Sequence, residues 1–196
     1  MTQTNSLLYF RKPSEEIVRQ FIAGQRNMPF SYSEVGATQS VAPPGYTVDH
    51  NRIKLGEGET PYRRAVSALQ RWEHFDLGWV EIVPDGVPVE VGQIVAMRAR
   101  TLGLWWLNAC RIVYLLGESD EFISRFGFAY GTLPAHVERG EERFTIEWHK
   151  DNSVWYDIYA FSRPQHRLVK LGHPYARSLQ KRFAKDSLAA MRAASQ

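Results

Sequence analysis

Between Arg125 and Pro164, bulky apolar and polar residues alternate through three successive segments. A period of two predicts strands with one face buried and one face wet. Phe126, Phe128 and Tyr130 share one face of the first segment, and Phe144, Ile146 and Trp148 share one face of the second, opposite Arg143, Thr145, Glu147 and His149. With the apolar runs that precede them, the pattern predicts strands over 79–83, 93–100, 104–116, 122–130, 142–150 and 154–161. Their connections include Pro84-Asp85-Gly86, Thr101-Leu102-Gly103 and Asp151-Asn152-Ser153, which suit antiparallel hairpins rather than helical crossovers.

Elsewhere the period is helical. Ser14 caps a segment that opens on Glu15 and Glu16 and carries Ile17, Val18, Phe21 and Ile22 as an apolar stripe. A second helix is punctuated by Thr60 at the cap and Pro61 in the first turn, with Tyr62, Ala65, Val66, Leu69 and Trp72 on one side. Residues 28–48, rich in Ser, Pro and Gly, read as irregular. At the C-terminal end Leu168, Leu171, Tyr175, Leu179, Phe183 and Met191 recur on one side of a helix over about 173–192. The order predicts an α+β fold: a curved antiparallel sheet of about six or seven strands wrapped on a long terminal helix, the only element long enough to cover its apolar face.

Composition narrows this reading. A chain of 196 residues suits one domain, here 1–40 as an N-terminal helix and irregular segment and 41–196 as the core. The lone Cys110 lies in an apolar run and reads as a small core residue. No apolar run approaches the roughly 20 residues of a membrane span, and the N-terminal one is too short for a signal-peptide core, so a soluble, cytoplasmic protein is expected. The net charge is +3, yet from Arg163 onward there are eight Lys or Arg against Asp186 alone. That basic helix suits a solvated face or weak contact with an anionic membrane surface. It lacks the interleaved aromatics and motifs of nucleic-acid binding.

The strings FDLGWVEIVP, LGLWWLNACRIVY, FGFAYGTLPAHVERGEERF and SVWYDIYAFSRP together resemble the bacterial and plant family named domain of unknown function 1990, over roughly residues 40–192. The family brings no reaction with it. The element order is similar to the helix-grip fold of the START and Bet v 1-like superfamily, which implies a hydrophobic cavity between sheet and terminal helix. On that implication Phe128, Tyr130, Phe144 and Trp148 face Tyr175, Leu179 and Phe183, while Trp106 and Asn108 contribute from a neighbouring strand, where Tyr114 alternates with them. These residues would bind a small hydrophobic or aromatic molecule, with Asn108 orienting it. The same aromatics also suit a filled core.

Three groups are candidates for proton transfer of a cyclase or hydratase type: His136, Asp157 and Tyr130. Both faces of the strand around Asp157 are apolar, and an outward or ion-paired carboxylate is the simpler expectation. His136 lies in the segment GTLPAHVERGEE, expected as a loop in which Arg139 pairs with the neighbouring acids. No cofactor or metal site is expected, because the sequence lacks HExxH, Walker, GxSxG and zinc-deaminase patterns. Binding leads over catalysis at this level. Two buried titratable groups facing one void would move the balance toward catalysis.

Overall fold

The structure is a computed structural model describing residues 7–119, 123–165 and 173–196. Among the described residues eight strands form one antiparallel sheet: β1 (Leu8–Tyr9), β2 (Thr47–Glu57), β3 (Val80–Val83), β4 (Ile94–Thr101), β5 (Leu104–Ser119), β6 (Ile123–Thr132), β7 (Glu138–His149) and β8 (Ser153–Pro164). Their order is β2-β8-β7-β6-β5-β4-β3, with β1 paired to the start of β5. Among the described residues three α-helices accompany them: α1 (Glu15–Gln25), α2 (Glu59–Gln70) and α3 (His173–Ala194). The fold is α+β with a curved antiparallel sheet and a C-terminal helix across it.

The alternation sorts residues as the sequence predicts. Phe128, Tyr130, Phe144, Ile146, Val154, Tyr156 and Ile158 form the concave core face together with Cys110 and Ile112. Ser14 caps α1 by accepting the Ile17 N–H at 3.4 Å. Helix α2 begins two residues earlier than Thr60 suggests: Gly58 is its N-cap, in a backbone conformation (φ +86°) that L side chains rarely adopt.

Three expectations change. The terminal helix does not cover the sheet alone. Ala65, Ala68 and Leu69 of α2, with Trp72 and Phe75 beside the 3₁₀ turn Glu73–Phe75, fill the same core as Met191, Phe183 and Leu188 of α3. Strand β2 occupies part of the region read as irregular or unassigned. The polar face is also less wet than expected: Val18 and Phe21 of α1 pack on Ile94, Ala96, Leu107, Ala109, Leu133 and Ala135 of the convex side.

Glu141 holds the rest of that convex cover. Its carboxylate accepts hydrogen bonds from the Tyr32 hydroxyl at 2.6 Å and from the N–H groups of Gly36 at 2.7 Å and Thr38 at 3.0 Å. The Thr38 hydroxyl donates to it as well. A carboxylate only 2% exposed is thereby satisfied by a loop it organises. A register shift between Ile112 and Tyr114 completes the arrangement. It turns Tyr114 from the concave face, where alternation with Asn108 placed it, to the convex face, where its hydroxyl meets Thr38 Oγ1 at 2.7 Å.

Candidate functional site

Two covers of unequal reach leave a gap. Where α2 and the 72–75 turn pack on the sheet, aromatic rings fill the space: Trp72 to Phe128 is 4.8 Å and Phe128 to Phe144 is 5.4 Å between centroids. Beyond them, between α3 and the strands β2, β8, β7 and β6, lies a cavity of about 790 Å³. Phe75, Met97, Leu179, Phe183 and Leu188 form its apolar walls. Ala160, Ala176 and Ala184 leave room where larger side chains would fill it.

The polar groups lie largely on the sheet. Strand registry aligns Asp49 with Ala160, Ala160 with Glu142, and Glu142 with Tyr130, so one row across four strands carries two carboxyls and a phenol. The Tyr130 hydroxyl donates to Glu142 Oε2 at 2.6 Å. Desolvation pushes the Glu142 carboxyl up to about 7 against the opposing effect of that hydrogen bond, and the charge of Asp49 adds to the rise. Burial likewise holds the Tyr130 phenol well above its ordinary value.

Glu138 lies four residues before Glu142 on the same strand face. It is 9% exposed, lines the cavity, and has no hydrogen bond or ion pair to its carboxylate among the described residues. Burial raises it to about 7, opposed by the more distant Arg177 guanidinium. Arg177 is engaged elsewhere, in a two-pronged pair with Asp49 at 2.6 and 2.7 Å that ties α3 to β2.

Of the nine ligand contacts expected from sequence, Asn108, Tyr130, Leu179 and Phe183 line the cavity. Asn108 is pinned by the Val137 N–H, which donates to its Oδ1 at 3.1 Å. Phe128, Phe144 and Trp148 do not line it, because α2 covers that half of the sheet. Phe128 and Phe144 are fully buried, and Trp148 lies against Tyr62 of α2, with centroids 5.6 Å apart. Trp106 stands beyond the other end, in register with Leu8 and Ala99. Tyr175 is 41% exposed and lies outside the cavity lining. The stripe that begins with Leu179 and Phe183 turns away from the sheet one helical turn earlier.

The proton-transfer candidates separate as well. Tyr130 and His136 line the cavity. His136 is buried, and its Nδ1 accepts the Glu138 N–H at 2.9 Å. Asp157 is buried on the opposite, convex face, paired with His50 Nε2 at 2.5 Å and Arg143 Nη2 at 3.3 Å. Arg139 forms no ion pair among the described residues, and its neighbours Glu138, Glu141 and Glu142 belong to β7 rather than to a loop.

Glu138 and Glu142 as cavity carboxyls were missed, although the signal existed. The alternation of Phe144, Ile146 and Trp148 continues backward through Glu142, Gly140 and Glu138 on the same face. The strand expected over 142–150 already held Glu142, and only the polarity of the residues before it suggested that the strand began there. Among the described residues no cluster of His, Cys, Asp and Glu could hold a metal ion.

A family profile described as Domain of unknown function (DUF1990) matches residues 31–190. The chain belongs to that family. The UPF0548 protein of Dictyostelium discoideum is 39% identical over 196 residues, covering 91% of each chain. One from Deinococcus radiodurans is 33% identical over 192 residues, covering 91% of this chain and 94% of that one. Among solved structures, the di-domain ARO/CYC StfQ from the steffimycin biosynthetic pathway is similar in fold at a TM-score of 0.50 and 12% identity, over 76% of this chain and 50% of that one. The fold of this DUF1990 member is the helix-grip arrangement its sequence resembles. No helix among the described residues is long and apolar enough to cross a membrane.

The basic charges of α3 are partly committed. Arg177 pairs with Asp49, and Arg182 lies 4.5 Å from the Trp79 ring centre and pairs with Asp186 at 3.3 Å. Lys181, Lys185 and Arg192 edge the cavity.

Proposed function

We propose that the protein binds a small, predominantly apolar molecule in the cavity between the sheet and α3. The observation that carries the reading is the cavity itself: about 790 Å³, walled by Phe75, Met97, Leu179 and Phe183, with polar side chains on the sheet and the basic side chains of α3 at its edge. Pockets of several hundred Å³ with apolar walls and few polar groups are the usual form of small-molecule sites. Ala160 sits between Asp49 and Glu142 with only a methyl group, so Ala160→Leu is expected to intrude on the bound molecule. Native mass spectrometry of the purified protein, followed by extraction, tests for a bound molecule. Titration with an environment-sensitive hydrophobic dye should give saturable binding that Ala160→Leu weakens about tenfold with the fold intact by circular dichroism. No bound species and no saturable dye binding would refute the reading.

A second reading, proton-transfer chemistry in the same cavity, is favoured by one specific observation. Glu142, hydrogen-bonded to Tyr130, is held near neutrality, as is Glu138. A carboxyl with that midpoint can give and take a proton near neutral pH. Under this reading Glu142 takes the part that the sequence offered to Asp157, which lies across the sheet from the cavity.

A further inference from the structure

Among the described residues, the cavity carboxyls of Glu138 and Glu142 form no ion pair. Buried acids are ordinarily paired, because an unpaired charge in an apolar setting is costly. Asp49 follows the rule through Arg177, whereas Glu138 and Glu142 form no ion pair among the described residues. Glu138, more than nine-tenths buried and without a polar partner for its carboxylate, opens onto the cavity. Glu142 opens onto it about 13 Å along the same strand, the span of four residues. Between them on the strand lies Gly140, which also borders the cavity.

The cations on α3 do not complete the set. Arg177 is occupied by Asp49, and Lys181, Lys185 and Arg192 are exposed side chains at the cavity edge. The sheet side therefore presents the carboxyls of Glu138 and Glu142, with the Asp49–Arg177 pair beside them, to a space walled by Phe75, Tyr130 and Phe183. Aromatic faces beside carboxylates are the surroundings that favour an organic ammonium over a neutral or anionic head.

We propose that the cavity selects hydrophobic amines: the ammonium group sits against Glu142 on the side that Glu138 also faces, and the apolar body lies along Phe75, Leu179 and Phe183. This rests on the small-molecule reading above and names the chemical class that it would take. The groups facing Glu142 are Asp49 from β2, Tyr130 from β6, Cys110 from β5 and Tyr156 from β8, with Lys181, Lys185 and Arg192 on the α3 side. Tyr130, Cys110 and Tyr156 are all held neutral well above neutral pH by burial, so Glu142 is the group of this set that an incoming cation would deprotonate.

The test is a calorimetric titration of the whole protein with three probes of one shape: naphthylethylamine, naphthylethanol and naphthylacetate. At pH 7 the amine should bind at least about tenfold more tightly than the alcohol, and the acid more weakly than either. Glu142→Gln, which keeps shape and removes charge, should bring amine and alcohol to within about twofold, and Glu138→Gln should reduce the preference in part. At pH 6 binding of the amine should release protons, seen as an enthalpy that depends on the ionisation heat of the buffer. That dependence should vanish at pH 8.5, and in Glu142→Gln it should shrink to the share that Glu138 supplies. Circular dichroism and the thermal midpoint establish that the variants are folded. If the alcohol or the acid binds as tightly as the amine, the amine inference is overturned while the cavity reading stands. If none of the three binds to folded protein, both fail.

Discussion

His74 shows how far burial overrides side-chain chemistry in this protein. It lies in the 3₁₀ turn after α2, fully buried, stacked on Trp72 at 5.6 Å and 4.7 Å from the Phe144 ring. Neither ring nitrogen has a hydrogen-bond partner among the described residues. Desolvation lowers its midpoint to about 3, so the folded protein keeps it neutral where the unfolded chain would protonate it. A depressed folded midpoint means that the unfolded state binds the extra proton, and stability falls as pH drops from the unfolded value near 6.5 toward 3, by up to about 1.4 kcal/mol per pH unit. Glu142 and Glu138 act with the opposite sign. Their folded midpoints lie above the usual carboxylate value, so the stability they contribute is complete below about 4.5 and is lost as pH rises through about 7. Urea denaturation of His74→Phe should therefore show a gain over the native chain that is largest at pH 4 and small at pH 8. An equal gain at both values would mean that packing, and not protonation, is responsible.

At the scale of elements, strand β7 carries the most consequence, since its two faces serve different ends. Its concave side gives Glu138 and Glu142 to the cavity, and its convex side gives Glu141 to the 32–38 loop and Arg143 to Asp157. Gly140 makes the close approach between β7 and β8 feasible. Its φ is +153°, and an added Cβ would lie 1.9 Å from the Phe161 carbonyl oxygen. Gly140→Ala should cost about 3 kcal/mol, because both backbone conformation and strand spacing must yield. A urea midpoint shifted by less than a third of that amount would show that the sheet relaxes around it.

The sequence disclosed β5, β6, the later part of β7 and β8, because their concave residues are apolar and large. It concealed β2 and the start of β7 for one shared physical reason: Asp49, Asn51, Glu138 and Glu142 point inward yet face a cavity rather than a packed core, so the apolar alternation breaks where the site begins. The terminal helix was legible as an amphipathic stripe. Its contact region was not, since periodicity groups Tyr175 with Leu179 but cannot say where the helix first meets the sheet. The bulge after Ile112, which turns Tyr114 to the convex side, left no trace in the alternation.

On the scale of the whole molecule, the cavity exists because α3 is held across the sheet mainly at separated points. Near its start Arg177 grips Asp49; further along, Trp79 Nε1 donates to Asp186 at 3.0 Å and Tyr156 shares a hydrogen bond with Ser187 at 3.1 Å; Met191 closes the far end in the core. Between these attachments Ala184 faces the void, as does Ala176 just before the first of them. The Arg177–Asp49 pair thus has two roles, fastening the helix and setting the charge beside Glu142. Asp49→Asn separates them. Being partly exposed, the pair should contribute only about 1 kcal/mol to global stability, but amide exchange over 174–184 should quicken selectively while the amides of β6 and β7 stay protected. The same substitution removes the carboxylate that raises Glu142, so the Glu142 midpoint, followed by its side-chain carbon resonance, should move down from about 7. Faster exchange without the downward shift would assign Asp49 to fastening alone. Neither change would mean that α3 is positioned by its apolar contacts, and the cavity would then be a property of packing between Phe75, Phe183 and Met191 rather than of this ion pair.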